Sequence, residues 1–264
     1  MYWLRLTCPP EAVDRMTGEL WAFGTLGIRE LESDGAVVLI AHFDNAESRH
    51  ELISRFRIYA PEWGREKDTD WLHETHSAWT AREVGQRLFL APSWNTEATP
   101  AGRQRVIHNP GLACGTGEHP CSQLALRALE KCVYRGSSVV DIGTGSGILA
   151  IAARRLGARL AIGLDTDLAA LEAARGNFDL NALDPQLVAG SADCLADACA
   201  DVAVANINSS VLLFLLDELL RITRANGWLI LTGFTEAESW RFRELFLAGE
   251  VSGLDQWRCV TVRF

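Results

Sequence analysis

Long apolar runs are absent from this chain of 264 residues. None approaches the ~18 residues that a membrane-spanning helix needs, so no membrane partner is expected. The first ten residues lack the basic start and apolar block of a signal peptide, which favours a cytoplasmic location. Internal repeats and low-complexity segments are also missing. The chain is therefore expected to form one large or two modest globular domains.

Positive charge is scarce relative to negative charge. The 25 Lys and Arg residues face 34 Asp and Glu residues, a formal net charge of −9. This balance argues against direct nucleic-acid binding and is compatible with a basic protein partner.

The seven cysteines include no Cys-x-x-Cys pair, so reduced thiols are expected. His73 and His76 lack both the H-E-x-x-H spacing and a third ligand nearby, so no metal site is predicted.

The first part of the chain predicts a small α+β domain over residues 1–62. Its pattern is strand, helix, strand, strand, helix, with a hairpin signal at Ser33–Gly35 and a helix from Asn45 to Tyr59. A further strand near Trp63 would complete a ferredoxin-like sandwich. Residues 63–80 are charged and rich in tryptophan, and they predict a linker that becomes a short helix from Asp70.

The remainder, residues 81–264, alternates strands with helices. This alternation is typical of an α/β fold with a parallel sheet covered on both faces. Its clearest stretch is Ser138–Leu149, where β-branched residues precede three alternating glycines and the start of a helix. Later strands are predicted at residues 160–164, 187–189, 202–205, 228–232 and 259–263.

The glycine turn reads Asp141-x-Gly143-x-Gly145-x-Gly147. Its spacing differs from the dinucleotide fingerprint G-x-G-x-x-G, in which a free helix N-terminus holds a pyrophosphate. S-adenosylmethionine has no phosphate, and its ammonium group favours an acidic neighbour, so Asp141 suits it directly or through water. The alternative is an aspartate that only caps the turn. The second glycine-rich stretch, 109–122, lacks the lysine of an ATP-binding P-loop.

Three more polar residues follow predicted strands, at the sheet edge where ligands gather in such folds. Asp165 can accept hydrogen bonds from both ribose hydroxyls; the alternative role, a helix cap, suits Asp167 equally well. Asp193 can accept from an adenine amino group, or it is a solvated loop residue. Asn206 offers a carbonyl oxygen that can orient an attacking amine, or it is a turn asparagine. The residues alone leave each of these alternatives open.

Four motifs, in this order, resemble the PrmA family, the methyltransferases of large-subunit ribosomal protein eleven. They are Gly111–Pro120, the DIGTGSGILAIAA stretch from Asp141, Gly163–Asp167 and Val204–Ile207. The resemblance implies a Rossmann-like class I methyltransferase domain with a mostly parallel, seven-stranded sheet. It also implies an N-terminal ferredoxin-like substrate-recognition domain. S-adenosylmethionine is the implied methyl donor, and S-adenosylhomocysteine the product.

Combined with the reasoning above, the resemblance predicts a set of site residues. The loop Gly115–Pro120 is implied to close over the cofactor, and His119 within it is either part of this lid or a base. Cys121–Ser122 replaces the family's Thr-Thr but keeps a hydroxyl, and Asn208 adds a second amide beside Asn206, the predicted catalytic residue. The predicted cofactor-binding residues are Thr116, Gly117, Ser122, Asp141, Gly143, Gly145, Asp165, Asp193 and Asn206.

The predicted function is methyl transfer to amino groups, on lysine side chains or the N-terminus, of a large-subunit ribosomal protein. Three alternatives stay open. One is a methyltransferase of the same fold acting on another protein lysine or a small molecule. The second is a dinucleotide oxidoreductase, which the glycine spacing disfavours, and the third is a catalytically silent S-adenosylmethionine-binding module.

Overall fold

A computed structural model describes residues 2–33, 35–65, 79–109 and 117–264. The chain divides into two compact units, Met1–Trp79 and Thr80–Phe264. None of the helices described is long and apolar enough to cross a membrane. Several sequence predictions lie outside the described residues: the short helix from Asp70, the histidine pair 73 and 76, and Thr116.

The N-terminal unit forms a four-stranded antiparallel sheet with two helices. The strand order β2-β3-β1-β4 is that of a ferredoxin-like sandwich, as predicted. Leu4, Leu6 and Cys8 alternate along the first strand and join Leu39 and Leu52 in one buried core. The elements are β1 (Tyr2–Cys8), α1 (Val13–Ala22), β2 (Gly27–Ser33), β3 (Ala36–Phe43), α2 (Arg49–Arg55) and β4 (Glu62–Arg65).

Helix α2 begins later than the sequence predicts. The side-chain oxygen of Asn45 accepts a hydrogen bond from the N–H of Glu47, 3.0 Å away, and so closes a local turn instead of capping the helix. Ser48 occupies the N-cap position, and a 3₁₀ turn, Arg57–Tyr59, replaces the predicted last part of the helix. The prediction of one continuous helix from Asn45 to Tyr59 is therefore wrong in its length.

The C-terminal unit opens with a small three-stranded sheet: β5 (Arg82–Val84), β6 (Leu88–Ala91) and β7 (Gln104–Ile107). The outer strand β5 pairs antiparallel with β6, and β7 pairs parallel with β6. Buried side chains such as Leu88 and Val106 pack into the same core as the helices of the main sheet. This small sheet therefore folds as a part of the C-terminal unit.

The main sheet has seven strands in the order β10-β9-β8-β11-β12-β14-β13. The first five strands are mutually parallel, and β14 is antiparallel to both of its neighbours, β12 and β13, so β13 runs in the same direction as the first five. This arrangement confirms the predicted mostly parallel sheet. Strand β13 was not predicted, because it is a half-exposed edge strand without clear apolar alternation. The strands are β8 (Ser138–Ile142), β9 (Leu160–Asp165), β10 (Gln186–Ala189), β11 (Ala200–Asn206), β12 (Thr223–Thr235), β13 (Glu250–Leu254) and β14 (Trp257–Arg263).

Helices cover both faces of this sheet. Neighbouring strand residues point to opposite faces, so Val139 enters one core and Val140 the other. The predicted single helix from Val211 to Thr223 is divided at Leu215 into two short helices, and Thr223 opens β12 instead. The helices are α3 (Pro120–Cys132), α4 (Ile148–Leu156), α5 (Leu168–Leu180), α6 (Ser209–Phe214), α7 (Leu216–Ile222) and α8 (Glu236–Leu245).

Candidate active site

The predicted site residues gather at one edge of the main sheet. Strand β8 lies between β9 and β11, and all three are parallel, so their carboxyl ends share that edge. Asp141 is the penultimate residue of β8, Asp165 ends β9 and Asn206 ends β11. The topology thus brings together three residues that are far apart in the sequence, at the edge where α/β folds bind ligands.

A tight turn joins β8 to α4. Its glycines, Gly143, Gly145 and Gly147, have φ angles of +69°, +53° and +80°. Glycine adopts such values without strain, because it has no Cβ. At Gly143 an added Cβ would lie 2.4 Å from Cγ2 of Ile207, which is too close for two carbon atoms that are not bonded to each other. The alternating glycines are therefore required by the path of the backbone at this position.

Asp141 is fully buried beneath the turn, with 0% of its surface exposed. Its Oδ2 accepts a hydrogen bond of 2.6 Å from the hydroxyl of Thr144. Its Oδ1 is buried and has no hydrogen-bond partner among the described residues. Burial raises the pKa of Asp141 to about 7, and the negative charge of Asp165 also raises it, whereas the hydrogen bond from Thr144 lowers it. An unpaired buried carboxylate oxygen suits a positively charged ligand nearby.

The carboxylate of Asp165 lies against the glycine turn. Its Oδ2 accepts from the N–H of Gly145 at 2.9 Å, and its Oδ1 accepts from the N–H of Asp167 at 3.0 Å. Helix α5 is capped by Asp167, whose Oδ1 accepts from the N–H of Ala169 at 2.9 Å. Because a carboxylate has about four acceptor positions, about two remain on Asp165 for the hydroxyls of a ligand.

Asp193 lies in a short 3₁₀ turn, Ala192–Cys194, that follows β10, and its side chain is exposed. The guanidinium of Arg221, on α7, donates to the carbonyl of Ala192 at 3.0 Å and to that of Leu195 at 2.8 Å. These two hydrogen bonds attach the 3₁₀ turn to α7. Asp193 therefore projects into solvent from an anchored segment.

The amide of Asn206 is oriented by Ser122. Its Nδ2 donates to the serine Oγ at 3.3 Å, and Ser122 is buried in α3 with 2% exposed. The replacement of a family threonine by serine thus keeps a hydroxyl that engages the asparagine. Since Nδ2 is directed at Ser122, Oδ1 is directed away from it and can accept a hydrogen bond from another group.

The other candidate polar groups near this edge have structural partners. Asn208 is exposed and caps α6, with its Oδ1 accepting from the N–H of Val211 at 3.0 Å. His119 caps α3, with Nδ1 accepting from the N–H of Cys121 at 3.3 Å. Its ring meets the ring of Trp257 edge-on, with centroids 4.6 Å apart. An Nδ1 that accepts this bond is not available to take a proton from a substrate.

Gly117 is the first described residue of the loop that precedes α3, and its φ is +73°. An added Cβ would lie 2.8 Å from Cδ1 of Ile148 and 2.9 Å from Cδ1 of Leu90. Glu118, the next residue, forms an ion pair with Arg82. The loop therefore enters α3 in close contact with both the small sheet and the helix that follows the glycine turn.

Sequence reasoning missed the residues that hold these groups in place. Arg221 was not singled out, and neither were two buried asparagines, Asn177 on α5 and Asn181 at the C-cap of that helix. A signal was present for Asn177, because asparagine is unfavourable in the interior of a helix that is otherwise rich in alanine and leucine.

The comparisons with known proteins agree with this architecture. A sequence profile described as ribosomal protein L11 methyltransferase (PrmA) matches residues 3–263. The ribosomal protein L11 methyltransferase of Clostridium botulinum (strain Eklund 17B / Type B) is 30% identical, over 97% of this chain and 88% of the relative. The protein of the same name from Anoxybacillus flavithermus (strain DSM 21510 / WK1) is 32% identical, over 81% and 73%.

A solved structure similar to this chain carries the same protein name. The crystal structure of ribosomal protein L11 methylase from Lactobacillus delbrueckii subsp. bulgaricus has a TM-score of 0.64 and 27% identity, over 70% of this chain and 99% of that one. The profile covers both units and the carboxyl edge of the main sheet, including the glycine turn, Asp165 and Asn206. This chain belongs to the ribosomal protein L11 methyltransferase (PrmA) family.

Proposed function

We propose that this chain methylates amino groups of ribosomal protein L11, on lysine side chains or at the N-terminus. It is an S-adenosylmethionine-dependent protein methyltransferase with a class I fold. The observation that carries the proposal is the amide of Asn206, oriented by Ser122 beside a glycine turn at the carboxyl edge of the sheet. That arrangement provides a neutral hydrogen-bond acceptor for an amine, next to a site suited to a nucleoside.

The residues at this edge fit the cofactor. Asp165 has acceptor positions for two ribose hydroxyls, and the fully buried Asp141, with its unpaired oxygen, favours a cationic ligand through its charge. We infer that Gly143 and Gly145 let the backbone approach the ligand, and that Asp193 accepts from the adenine amino group. We infer further cofactor contacts from Thr116, Gly117 and Ser122 in and after the loop before α3.

S-adenosylmethionine, when bound, supplies a methyl group that its sulfonium has already activated. The work of the protein is therefore to position the amine and to exclude water. We infer that Oδ1 of Asn206 accepts a hydrogen bond from the neutral amine and fixes its direction of approach. An uncharged amide suits this role, because a carboxylate would favour the protonated amine, which has no free electron pair.

The partner and the location follow from the same proposal. A net charge of −9 complements a basic ribosomal protein and disfavours direct nucleic-acid contact. We assign recognition of that protein to the ferredoxin-like domain and methyl transfer to the C-terminal unit, Thr80–Phe264. The first domain extends past the predicted boundary at residue 62, because β4, Glu62–Arg65, belongs to its sheet. A methyltransferase of a ribosomal protein works where ribosomes are assembled, so we place this chain in the cytoplasm.

Labelled methyl transfer tests the proposed function. The whole chain is incubated with radiolabelled S-adenosylmethionine and large ribosomal subunits, and the labelled protein is identified and its modified residues mapped by mass spectrometry. We expect label on amino groups of L11. Label on another protein or on small molecules only would contradict the substrate. Cofactor binding by calorimetry without any labelling would identify a silent binding module.

We expect Asp165→Asn to weaken S-adenosylmethionine binding about tenfold, because the neutral amide accepts more weakly and loses an acceptor position. Calorimetry measures the dissociation constant. Asp167→Asn is the matched control: asparagine caps helices as well as aspartate does, so the affinity should be unchanged. Equal weakening by both substitutions would show that the effect comes from α5 and not from the ribose site.

A further inference from the structure

One buried side chain joins the glycine turn to another part of the C-terminal unit. Asn177, on α5, is 5% exposed. Its Nδ2 donates to the carbonyl of Ser146 at 3.0 Å, and its Oδ1 accepts from the N–H of Asn109 at 3.0 Å. Ser146 lies within the glycine turn, and Asn109 follows β7. A single amide therefore restrains two backbone segments that no strand pairing connects.

A second buried asparagine, Asn181 at the C-cap of α5, makes a different set of hydrogen bonds. Asn181 is 2% exposed; its Oδ1 accepts from the N–H of Ile107 at 2.9 Å, and its Nδ2 donates to the carbonyl of Ile107 at 2.6 Å. Its Nδ2 also donates to the carbonyl of Asn177 at 2.7 Å. Asn181 thus pairs with β7 as a neighbouring strand would. Among the described residues, its side chain makes no hydrogen bond to the glycine turn, and only its bond to Asn177 links it to that turn.

The glycine turn needs a restraint from outside. Its three glycines have more backbone freedom than any other residue, so the native conformation is not enforced by their own side chains. Ser146 lies between Gly145, whose N–H is held by Asp165, and Gly147, which precedes α4. The bond from Asn177 to the Ser146 carbonyl therefore fixes the peptide at the centre of the turn.

We propose that Asn177 is a positioning residue for cofactor binding, which holds the glycine turn in the conformation that receives S-adenosylmethionine. This rests on the proposed function only in placing the cofactor at the turn. Asn177 itself is buried behind the turn and acts through the Ser146 carbonyl. Loss of this bond lets the turn adopt other conformations in the free protein, and binding the cofactor must then restore the native one.

Asn177→Asp tests the proposal. Aspartate keeps an acceptor for the N–H of Asn109 but directs a carboxylate oxygen, in place of a donor, at the carbonyl of Ser146. We expect the dissociation constant for S-adenosylmethionine to rise about tenfold in calorimetry, the loss typical of one hydrogen bond. At saturating cofactor the turnover should return towards the wild-type value, because only the population of the competent turn has changed.

The matched control is Asn181→Asp. It makes the same chemical change four residues further along the chain, at similar burial. It disturbs bonds to Ile107, Asn177 and Arg155, none of which lies in the glycine turn. Both variants are expected to unfold at lower temperatures than the wild type, but Asn181→Asp should bind the cofactor within about twofold of it. Binding is measured well below both melting temperatures, and circular dichroism confirms that the variants are folded.

Two outcomes would overturn the proposal: wild-type cofactor affinity in Asn177→Asp, or equal weakening in both variants. If Asn177→Asp does not fold, Asn177→Ala, which removes the donor without adding a charge, serves in its place, with Asn181→Ala as its control. The alanine at position 177 is again expected to weaken cofactor binding more than the alanine at position 181. The readout is cofactor affinity alone. A wild-type chain that binds the cofactor but fails to methylate L11 would therefore contradict the proposed function and leave this test intact.

Discussion

Asn206→Ala is expected to lower the turnover of methyl transfer on the order of 100-fold or more, the usual loss when a positioned hydrogen-bonding group is removed from a reacting centre. The affinity for S-adenosylmethionine should change much less. Alanine has no oxygen to accept from the amine, so the amine is bound without its direction being fixed. Removal of the amide also leaves the hydroxyl of Ser122 without its partner, 3.3 Å away in the wild type.

Two measurements separate the roles of this asparagine. Turnover is measured with L11 at saturating cofactor, and cofactor affinity is measured by calorimetry. A fall in both quantities by the same factor would identify Asn206 as a cofactor contact and not as the group that orients the amine. Preserved turnover would remove it from the mechanism altogether.

Asn208→Ser is the matched control for this substitution. Asn208 is the same residue type two positions further on, and the sequence makes it a second candidate, after Asn206, for orienting the amine. In the structure its side-chain oxygen accepts from the N–H of Val211 at 3.0 Å and caps α6. Serine is as good an N-cap as asparagine, so both stability and turnover should remain close to wild type.

Asp141→Asn is expected to change how stability depends on pH. Burial raises the pKa of Asp141 from 3.8 to about 7 in the folded protein. Between these two values the folded chain keeps a proton that the unfolded chain releases, so the folded state loses stability as the pH rises through this range. Between pH 5.5 and pH 8 the loss from this group is about 2 kcal/mol, at 1.36 kcal/mol per pKa unit.

Urea unfolding of wild type and variant at both pH values measures this effect. Other titrating groups contribute equally to the two proteins, so the difference between their pH dependences isolates Asp141. We expect the wild type to lose about 2 kcal/mol more than the variant between pH 5.5 and pH 8. Parallel pH dependences would mean that Asp141 ionises normally in the folded chain.

The same variant tests the electrostatic role that we propose. At pH 8 the carboxylate of Asp141 is charged and favours a cationic ligand, so Asp141→Asn should bind S-adenosylmethionine more weakly than wild type. At pH 5.5 the wild-type residue is largely protonated, and the difference in affinity should narrow. A difference that is independent of pH would contradict a role for the charge.

Much of the fold can be predicted from the sequence because its signals are local. The alternating glycines from Gly143 to Gly147 require positive φ angles, and strand and helix periodicities extend over only a few neighbouring residues. The roles of Asp165 and Asp167 can also be predicted from neighbouring residues alone. Asp167 caps α5, so the carboxylate of Asp165 is left to face the glycine turn.

The positions of helix boundaries and edge strands were less predictable. Asn45 closes a turn where a helix cap was expected, and the apolar run from Val211 to Thr223 contains two helices and the first residue of a strand. Such boundaries depend on which of several similar local hydrogen bonds the tertiary packing allows. Short-range patterns do not contain this information.

The sequence by itself determined the α/β architecture, the glycine turn and the position of Asp165 at the end of β9. Only the tertiary structure decided which of two nearby asparagines has its amide oriented by a serine, and that Asn177 supports the turn. The contacts involved join residues 84 positions apart for Asn206 and Ser122, and 68 apart for Asn177 and Asn109. Side chains so distant in sequence meet only after the parallel strands have brought their carboxyl ends to one edge, and no local pattern specifies such a meeting.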